Sequence, residues 1–357
     1  VGNESRERVL AALKRQQPDR VPFLEPVIAE QIALELLNMP PWQGGSNDEI
    51  NQSDADVLTG PLFESPFYTP AQLAQAIGLD GFGMYCFLRH EGVKQDIDGR
   101  TMIRQGGITT REQVKRIHLP DPDDPAIYAP YREFVQANRG TGLALYAFLN
   151  IGSDPLILGM GLENFALAIY EQPDLVTDLF DLYSDWYARA IVHLCEAGFD
   201  FIWFADDIAY KTAPYVSPRT FHELFMPRYR KVVQNCTLPW IFHSDGNLMP
   251  IMKDLLSLGM SALHPLEPDA MNLAELKRSI GNQVCLVGNI SVDRLSRGTP
   301  HEIDGLVKEA VSIAAPGGGY MLSSSNSVTS YCKTENVRAM IAALRRYGAY
   351  SEGIGEQ

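Results

Sequence analysis

The segment "WIFHSDGNLMPIMKDLLSLG", residues 240–259, holds the side chains best placed to do chemistry. Its apolar opening reads as a buried strand, yet the run ends in His243, Asp245 and Asn247 and a helical pattern follows at once. Residues two apart on a strand point the same way, so His243 and Asp245 would share a face. An imidazole beside a carboxylate suits a metal-ligand pair, or a general acid or base oriented by its neighbour. The bland alternative is a structural histidine steadied by a hydrogen bond. Other apolar runs close on polar residues in the same manner: Glu25, then Asn150 with Ser153 and Asp154, then Asp206 and Asp207. His264 and Glu267, Asn289, and Ser323 with Ser325 and Asn326 complete the series. One of Asp206 and Asp207 could simply cap a turn, and His264, followed by Pro265, reads as structural. Glu267 needs a partner if it is buried. Asn289 and Asn326 could satisfy loop backbone, but their placement favours hydrogen bonds to a substrate.

Groups so scattered in sequence meet only on a scaffold that gathers strand ends. Strand-like runs fall at 21–27, 81–87, 143–153, 199–207, 240–246, 261–268, 284–291 and 320–327, with helical patterns between most of them. Ser217 and Pro218 open one helix. Thr299 and Glu302 stand in capping-box spacing before a second, and a third, "TENVRAMIAALRRYG", reads as capped by Thr334 and stopped by Gly348. The repeating βα pattern implies a parallel sheet. At this length the expected fold is α/β, a single (β/α)8 TIM-type barrel spanning residues 1–357 as one domain, with its site at the C-terminal strand ends. An open doubly wound sheet is the alternative, but no GxGxxG turn follows an early strand. Alternating residues around Asp98-Gly99 predict a β-hairpin inserted after the second strand. Residues 40–60 read as a long acidic loop, and "APGGGY" as a tight turn from helix to strand.

Composition narrows the function classes. Of 357 residues, 45% are hydrophobic and 21% charged, ordinary values for a globular protein, and the net charge is −14. That balance argues against a nucleic-acid partner. The five cysteines are far apart and form no CxxC pair, which suits a reducing cytoplasm. The start of the chain reads as an amphipathic charged segment rather than a signal peptide, and the apolar runs are strand-sized, so no membrane span is expected.

Several stretches carry a family likeness: "RERVLAALKRQQPDRVPF", "FADDIAYKTAPYVSPRTFHELFMPRYRKVV", "HSDGN", "LVGNIS", "APGGGY" and "TENVRAMIAAL". In order and spacing the chain resembles the uroporphyrinogen decarboxylase superfamily over nearly its whole length. That superfamily also contains zinc-dependent methyltransferases that use methylated corrinoid proteins. The resemblance implies a (β/α)8 barrel, a small-molecule substrate and, by the habit of such barrels, a homodimer. Two departures matter. Where the true decarboxylases carry arginines after the first strand, this chain has "PFLEPVIAEQ" with Glu25, and their late histidine falls at Asn326. Where the methyltransferases have HxCGN and a late cysteine, this chain has "HSDGN" with Asp245, and again Asn326.

The expected function is therefore metal-assisted methyl transfer or demethylation linked to a corrinoid on a partner protein. His243, Asp245 and Glu267 would ligate zinc or another divalent metal, a harder site than one of thiolates. Asp206, Asp207 and Glu267 are the candidate catalytic residues, and Glu25, Asn150, Asn289 and Asn326 the candidate substrate contacts. The alternative is metal-free decarboxylation of a tetrapyrrole or smaller aromatic acid, with Asp206 or Asp207 stabilising positive charge. A third possibility is non-catalytic binding of a corrinoid or tetrapyrrole.

Overall fold

The computed structural model describes residues 4–40, 57–88, 92–97 and 100–350. Its main sheet has eight strands: β1 (Val57–Pro61), β2 (Gly81–Leu88), β5 (Ala144–Leu149), β6 (Phe201–Ala205), β7 (Trp240–His243), β8 (Ala262–His264), β9 (Cys285–Ile290) and β10 (Tyr320–Ser324), neighbouring one another in that order. From β2 through β10 every pairing is parallel. Strands β5 and β6 are buried along their entire length, as expected where helices cover the outer face of a parallel sheet.

The first expected strand makes only single bridges, yet it occupies the seam of the barrel. The Leu24 amide donates to the Leu322 carbonyl (3.1 Å), and the Leu322 amide to Pro22 (2.8 Å), on the β10 side. On the β2 side the Asp80 amide donates to the Phe23 carbonyl (2.8 Å). The upper part of the same β2 edge is taken by β1, antiparallel and in register from Val57↔Leu88 to Pro61↔Met84. So the loop expected at 40–60 ends in a strand, and its part at 41–56 lies outside the described residues. Proline in the segment, at Pro22 and Pro26, removes ladder donors and keeps it from pairing as a full strand. The expected hairpin is present as β3 (Gly92–Ile97) paired antiparallel with β4 (Arg100–Gly106); its turn at Asp98-Gly99 lies outside the described residues.

Local chemistry accounts for the helix boundaries. Thr299 and Glu302 form the expected capping box on the helix Pro300–Ala314. The Ser217 hydroxyl accepts the Thr220 amide as expected, but the helix it starts widens to a π-type turn over Phe221–Phe225 before Met226–Val233. Pro227 has no amide to give and its ring crowds the preceding turn, which accounts for the widening. Thr334 is not a cap: Lys333 takes that position, and the Thr334 hydroxyl donates to the Glu35 carboxylate instead. The "APGGGY" turn needs its glycines. Gly318 has φ +82°, and a Cβ there would lie 2.6 Å from the Gln16 backbone.

Candidate functional site

The parallel register sets the site. Ala205, His243 and His264 are neighbours across β6, β7 and β8, so the residues that follow them emerge together at the C-terminal rim. Strand β7 stops at His243, so Asp245 reaches the site by a turn and not by strand alternation. The turn is pinned: the Asp245 amide donates to Asp207 Oδ1 (2.9 Å) and the Gly246 amide to Glu267 Oε2 (3.2 Å). Gly246 has φ +87°, and a Cβ there would sit 2.5 Å from the Tyr210 carbonyl oxygen. The glycine of "HSDGN" is thus what lets Asp245 turn inward.

Asp207, His243 and Asp245 offer ligand atoms that all lie within 4.8 Å of one another. His243 Nε2 is 3.7 Å from Asp207 Oδ1. Asn326 donates its amide to Asp245 Oδ2 (2.5 Å), while Asp245 Oδ1 is buried and has no hydrogen-bond partner. A buried carboxylate oxygen without a donor is costly, and a cation would satisfy it. Burial and the facing charge of Asp207 push Asp245 up to about 6, against the opposing pull of His243. The arrangement of one imidazole and two carboxylates fits a divalent ion of the zinc type.

The neighbouring carboxylates divide into different roles. Asp206 is fully buried, and its Oδ2 accepts the amides of Ile151 (2.9 Å), Gly152 (3.1 Å) and Ser153 (3.2 Å) while Oδ1 accepts that of Asp154 (3.1 Å). It holds the loop leading into the helix Ser153–Met160, and both of its oxygens are committed to that backbone. Burial raises Asp206 to about 6 even against these bonds. Asp154 accepts the Asp207 amide (3.0 Å); burial, then Asp206 and Asp207, raise it well above the usual carboxylate range. Glu267 stands beside the triad, where Lys211 Nζ approaches it at 3.1 Å.

Asp245, Glu267, Lys211, Arg297, Ser325 and Asn326 line a cavity of about 480 Å³. Of the candidate substrate contacts, Asn326 is the one in this wall. Asn289 lines an adjoining cavity and gives its amide to the Leu266 carbonyl (3.2 Å). Asn150 is buried, donates to the Ala205 carbonyl and accepts from the Tyr187 hydroxyl (3.4 Å). Glu25 is fully buried behind the rim, its carboxylate receiving the Ser324 amide and, at 2.8 Å, the Ser324 hydroxyl. Burial pushes Glu25 up to about 8 against the pull of Ser324 and Ser323.

Three residues beside the site were given no site role in the sequence reading. Lys211 follows Asp207 in the same loop and carried a legible charge signal. His264, expected as a structural histidine, is fully buried, and its Nδ1 lies 2.6 Å from His243 Nδ1, the rings stacked at 4.8 Å. Ser323, 3.2 Å from His264 Nε2, gave no signal beyond its strand-end position. Cys332 is buried beside Ser296 and Thr329, so it does not supply the thiolate missing at Asp245.

A profile of the uroporphyrinogen decarboxylase family matches residues 107–347, and the chain belongs to that family. Methylcobamide:CoM methyltransferase MtaA of Methanosarcina barkeri is 26% identical over 366 residues, spanning 96% of this chain and 98% of its own. A methylated-thiol–coenzyme M methyltransferase of Methanosarcina mazei is 22% identical over 189 residues, 52% of this chain and 48% of its own. The solved structure of a methyltransferase from Methanosarcina mazei has the same fold, with a TM-score of 0.67 at 18% identity, covering 97% of this chain and 99% of that one. The expected enzyme class, a methyltransferase of the uroporphyrinogen decarboxylase superfamily, agrees with these relatives. No helix among the described residues is long and apolar enough to cross a membrane.

Proposed function

We propose that this protein transfers a methyl group between a small molecule and a corrinoid carried by a partner protein, with a divalent metal held by Asp207, His243 and Asp245. The observation that carries the metal part is the unpartnered, buried Asp245 Oδ1 in a cluster with two further ligand atoms. The corrinoid part rests on likeness to methylcobamide methyltransferases over nearly the whole chain. This reading takes Asp207 in place of Glu267 as third ligand, because the Asp207, His243 and Asp245 ligand atoms lie within 4.8 Å of one another and Glu267 is paired with Lys211.

A metal bound there supplies Lewis-acid polarisation of the substrate heteroatom that loses or gains the methyl group. Asn326 engages Asp245 Oδ2 and leaves Oδ1 free of any hydrogen bond, available to a metal. Asp206 holds the loop that carries Asp154, and Asp154 in turn accepts the Asp207 amide. Glu267, on the cavity wall and steadied by Lys211, is placed to exchange a proton with the substrate. Carboxylate ligands in place of thiolates make the site hard, which favours an alcohol or phenol oxygen as the reacting atom over a thiol.

Incubation of the zinc-loaded protein with methylcobalamin and separate alcohol, phenol and thiol acceptors tests this, demethylation being followed by absorbance. Turnover with an oxygen acceptor, lost in Asp207→Asn, is expected. Absence of demethylation with every acceptor, and with methylated corrinoid protein as donor, would sink it.

A further inference from the structure

The cysteines are scattered along the sequence, and the fold sorts them. Cys86, Cys285 and Cys332 are buried, while Cys195 and Cys236 are only partly covered. These two, distant in the chain, face each other with their sulfurs 3.9 Å apart. Cys195 lies in the last turn of the helix Pro173–Glu196, shortly before β6. Cys236 follows the helix Met226–Val233, shortly before β7. Both therefore sit where the strands begin, at the end of the barrel opposite the rim that carries Asp207, His243 and Asp245. The two helices are already braced along their length. Arg228 Nη2 donates to Asp181 (3.0 Å), Lys231 pairs with Asp185, and the Asn235 side-chain amide donates to the Ala188 carbonyl (2.9 Å). The thiol pair continues that series to the helix ends, so both backbones that would carry a bond are held in place.

Sulfurs 3.9 Å apart are in van der Waals contact. A disulfide bond is about 2.05 Å long, so closure needs an approach of roughly 1.9 Å, a movement of side-chain torsions at a helix end and the adjoining turn. The surroundings also favour the reactive form. Cys195 is lowered to about 6, first by the facing Cys236 thiol and then, against burial, by Thr237 and the Leu238 backbone. The thiolate is the nucleophile in such chemistry, and partial exposure admits a small oxidant. With hydrogen peroxide the electrons balance in two steps. One thiolate sulfur attacks a peroxide oxygen, forming S–O and breaking O–O, and the released hydroxide takes up a proton to leave as water. The second sulfur then attacks the sulfenic sulfur, forming S–S and breaking S–O, and its proton leaves with the second water. The two sulfurs together lose two electrons and the peroxide gains them. The product is the same whichever cysteine reacts first.

We propose that Cys195 and Cys236 form a redox-responsive modification site, reduced at rest and joined by peroxide into a disulfide that ties the two helix ends at the base of the barrel. Such a bond restricts the unfolded chain and so raises stability. It leaves the opposite rim untouched, and the proposal stands apart from the metal and from methyl transfer. The full chain, reduced and then freed of reductant, is treated with a small molar excess of hydrogen peroxide and mapped by mass spectrometry of its non-reduced peptides. The expected product is lighter by two hydrogens, has two fewer titratable thiols and yields a peptide linked through Cys195 and Cys236. Its melting midpoint should rise by several degrees, and dithiothreitol should reverse every change. Cys195→Ser and Cys236→Ser should each lose the linked peptide and the thermal shift, whereas Cys332→Ser, which removes a buried thiol elsewhere, should keep both. If a serine variant fails to fold, the peptide map of the wild type decides alone. Survival of both thiols, their separate oxidation to sulfinic acids, or a link to another cysteine or another chain would overturn the proposal. A linked peptide with no rise in melting midpoint would overturn the role as a tie.

Discussion

Asp206 and Asp207 are adjacent in sequence and of one chemical type, yet their surroundings assign them different work. Asp206 spends both oxygens on four backbone amides and has no exposed surface. Asp207 has a side chain 41% exposed and faces His243. Asp206→Asn turns an amide NH2 toward backbone donors, so it should cost about 1–3 kcal/mol of stability. Asp207→Asn should leave stability nearly unchanged and abolish metal binding. Urea unfolding alongside zinc titration of both variants checks the division; equal stability losses would contradict it. Nothing in "FADD" distinguishes the two, because the difference lies in amides of the loop at 151–154, some fifty residues away. Glu25 makes a pH prediction. Its folded pKa is raised to about 8 from 4.5 by burial, so between those values the unfolded chain releases a proton that the folded chain keeps. Stability should therefore fall as pH rises from about 4.5 through about 8, by on the order of a few kcal/mol. Glu25→Gln lacks this titration, so its stability relative to wild type should be higher at pH 8 than at pH 5. Urea midpoints that differ by the same amount at both pH values would refute it.

At the scale of elements, the chain ties its first helix to the far end of the barrel. Arg8 and Arg20 converge on the fully buried Asp80 (Arg8 Nη1 2.6 Å, Arg20 Nη2 2.8 Å), which also accepts the Phe23 amide (2.8 Å). Arg6 does the same for Asp200 at the start of β6 (2.7 Å). These pairs explain why arginines recur in "RERVLAALKRQQPDR": they close the N-terminal end of the barrel, remote from the site. Removing one partner leaves buried charge uncompensated, so Asp80→Ala should cost about 3–5 kcal/mol. Zinc affinity of the molecules that remain folded should match wild type. A stability change below 1 kcal/mol, read from urea unfolding, would refute the clamp. Helix positions were legible from caps and periodicity because those signals are local. The seam segment at 21–25 was legible as apolar but not as a closing piece, since its partners Leu322 and Asp80 are distant and prolines limit its pairing. Strand β1 hid in a polar stretch because its pairing with β2, not its own composition, makes it a strand.

For the molecule as a whole, the barrel was readable from the alternation of strands and helices, and the ring of strand ends told where chemistry belongs. Which members of the ring meet was less readable. His243 and Asp245 were found together, but by a glycine-dependent turn instead of a shared strand face, and Asp207 lies in the same cluster. The buried support of His243 depends on register across β7, β8 and the β9–β10 edge, which one sequence does not reveal. The resulting mouth brings the ligand atoms of Asp207, His243 and Asp245 within 4.8 Å of one another, the cluster proposed above to hold a cation. The most direct test is elemental analysis of tag-free protein after zinc loading and removal of excess, beside His243→Ala and Asp207→Asn. The account predicts about one zinc per chain in the wild type and none in either variant. A wild type that retains no metal, or variants that retain as much, would contradict it.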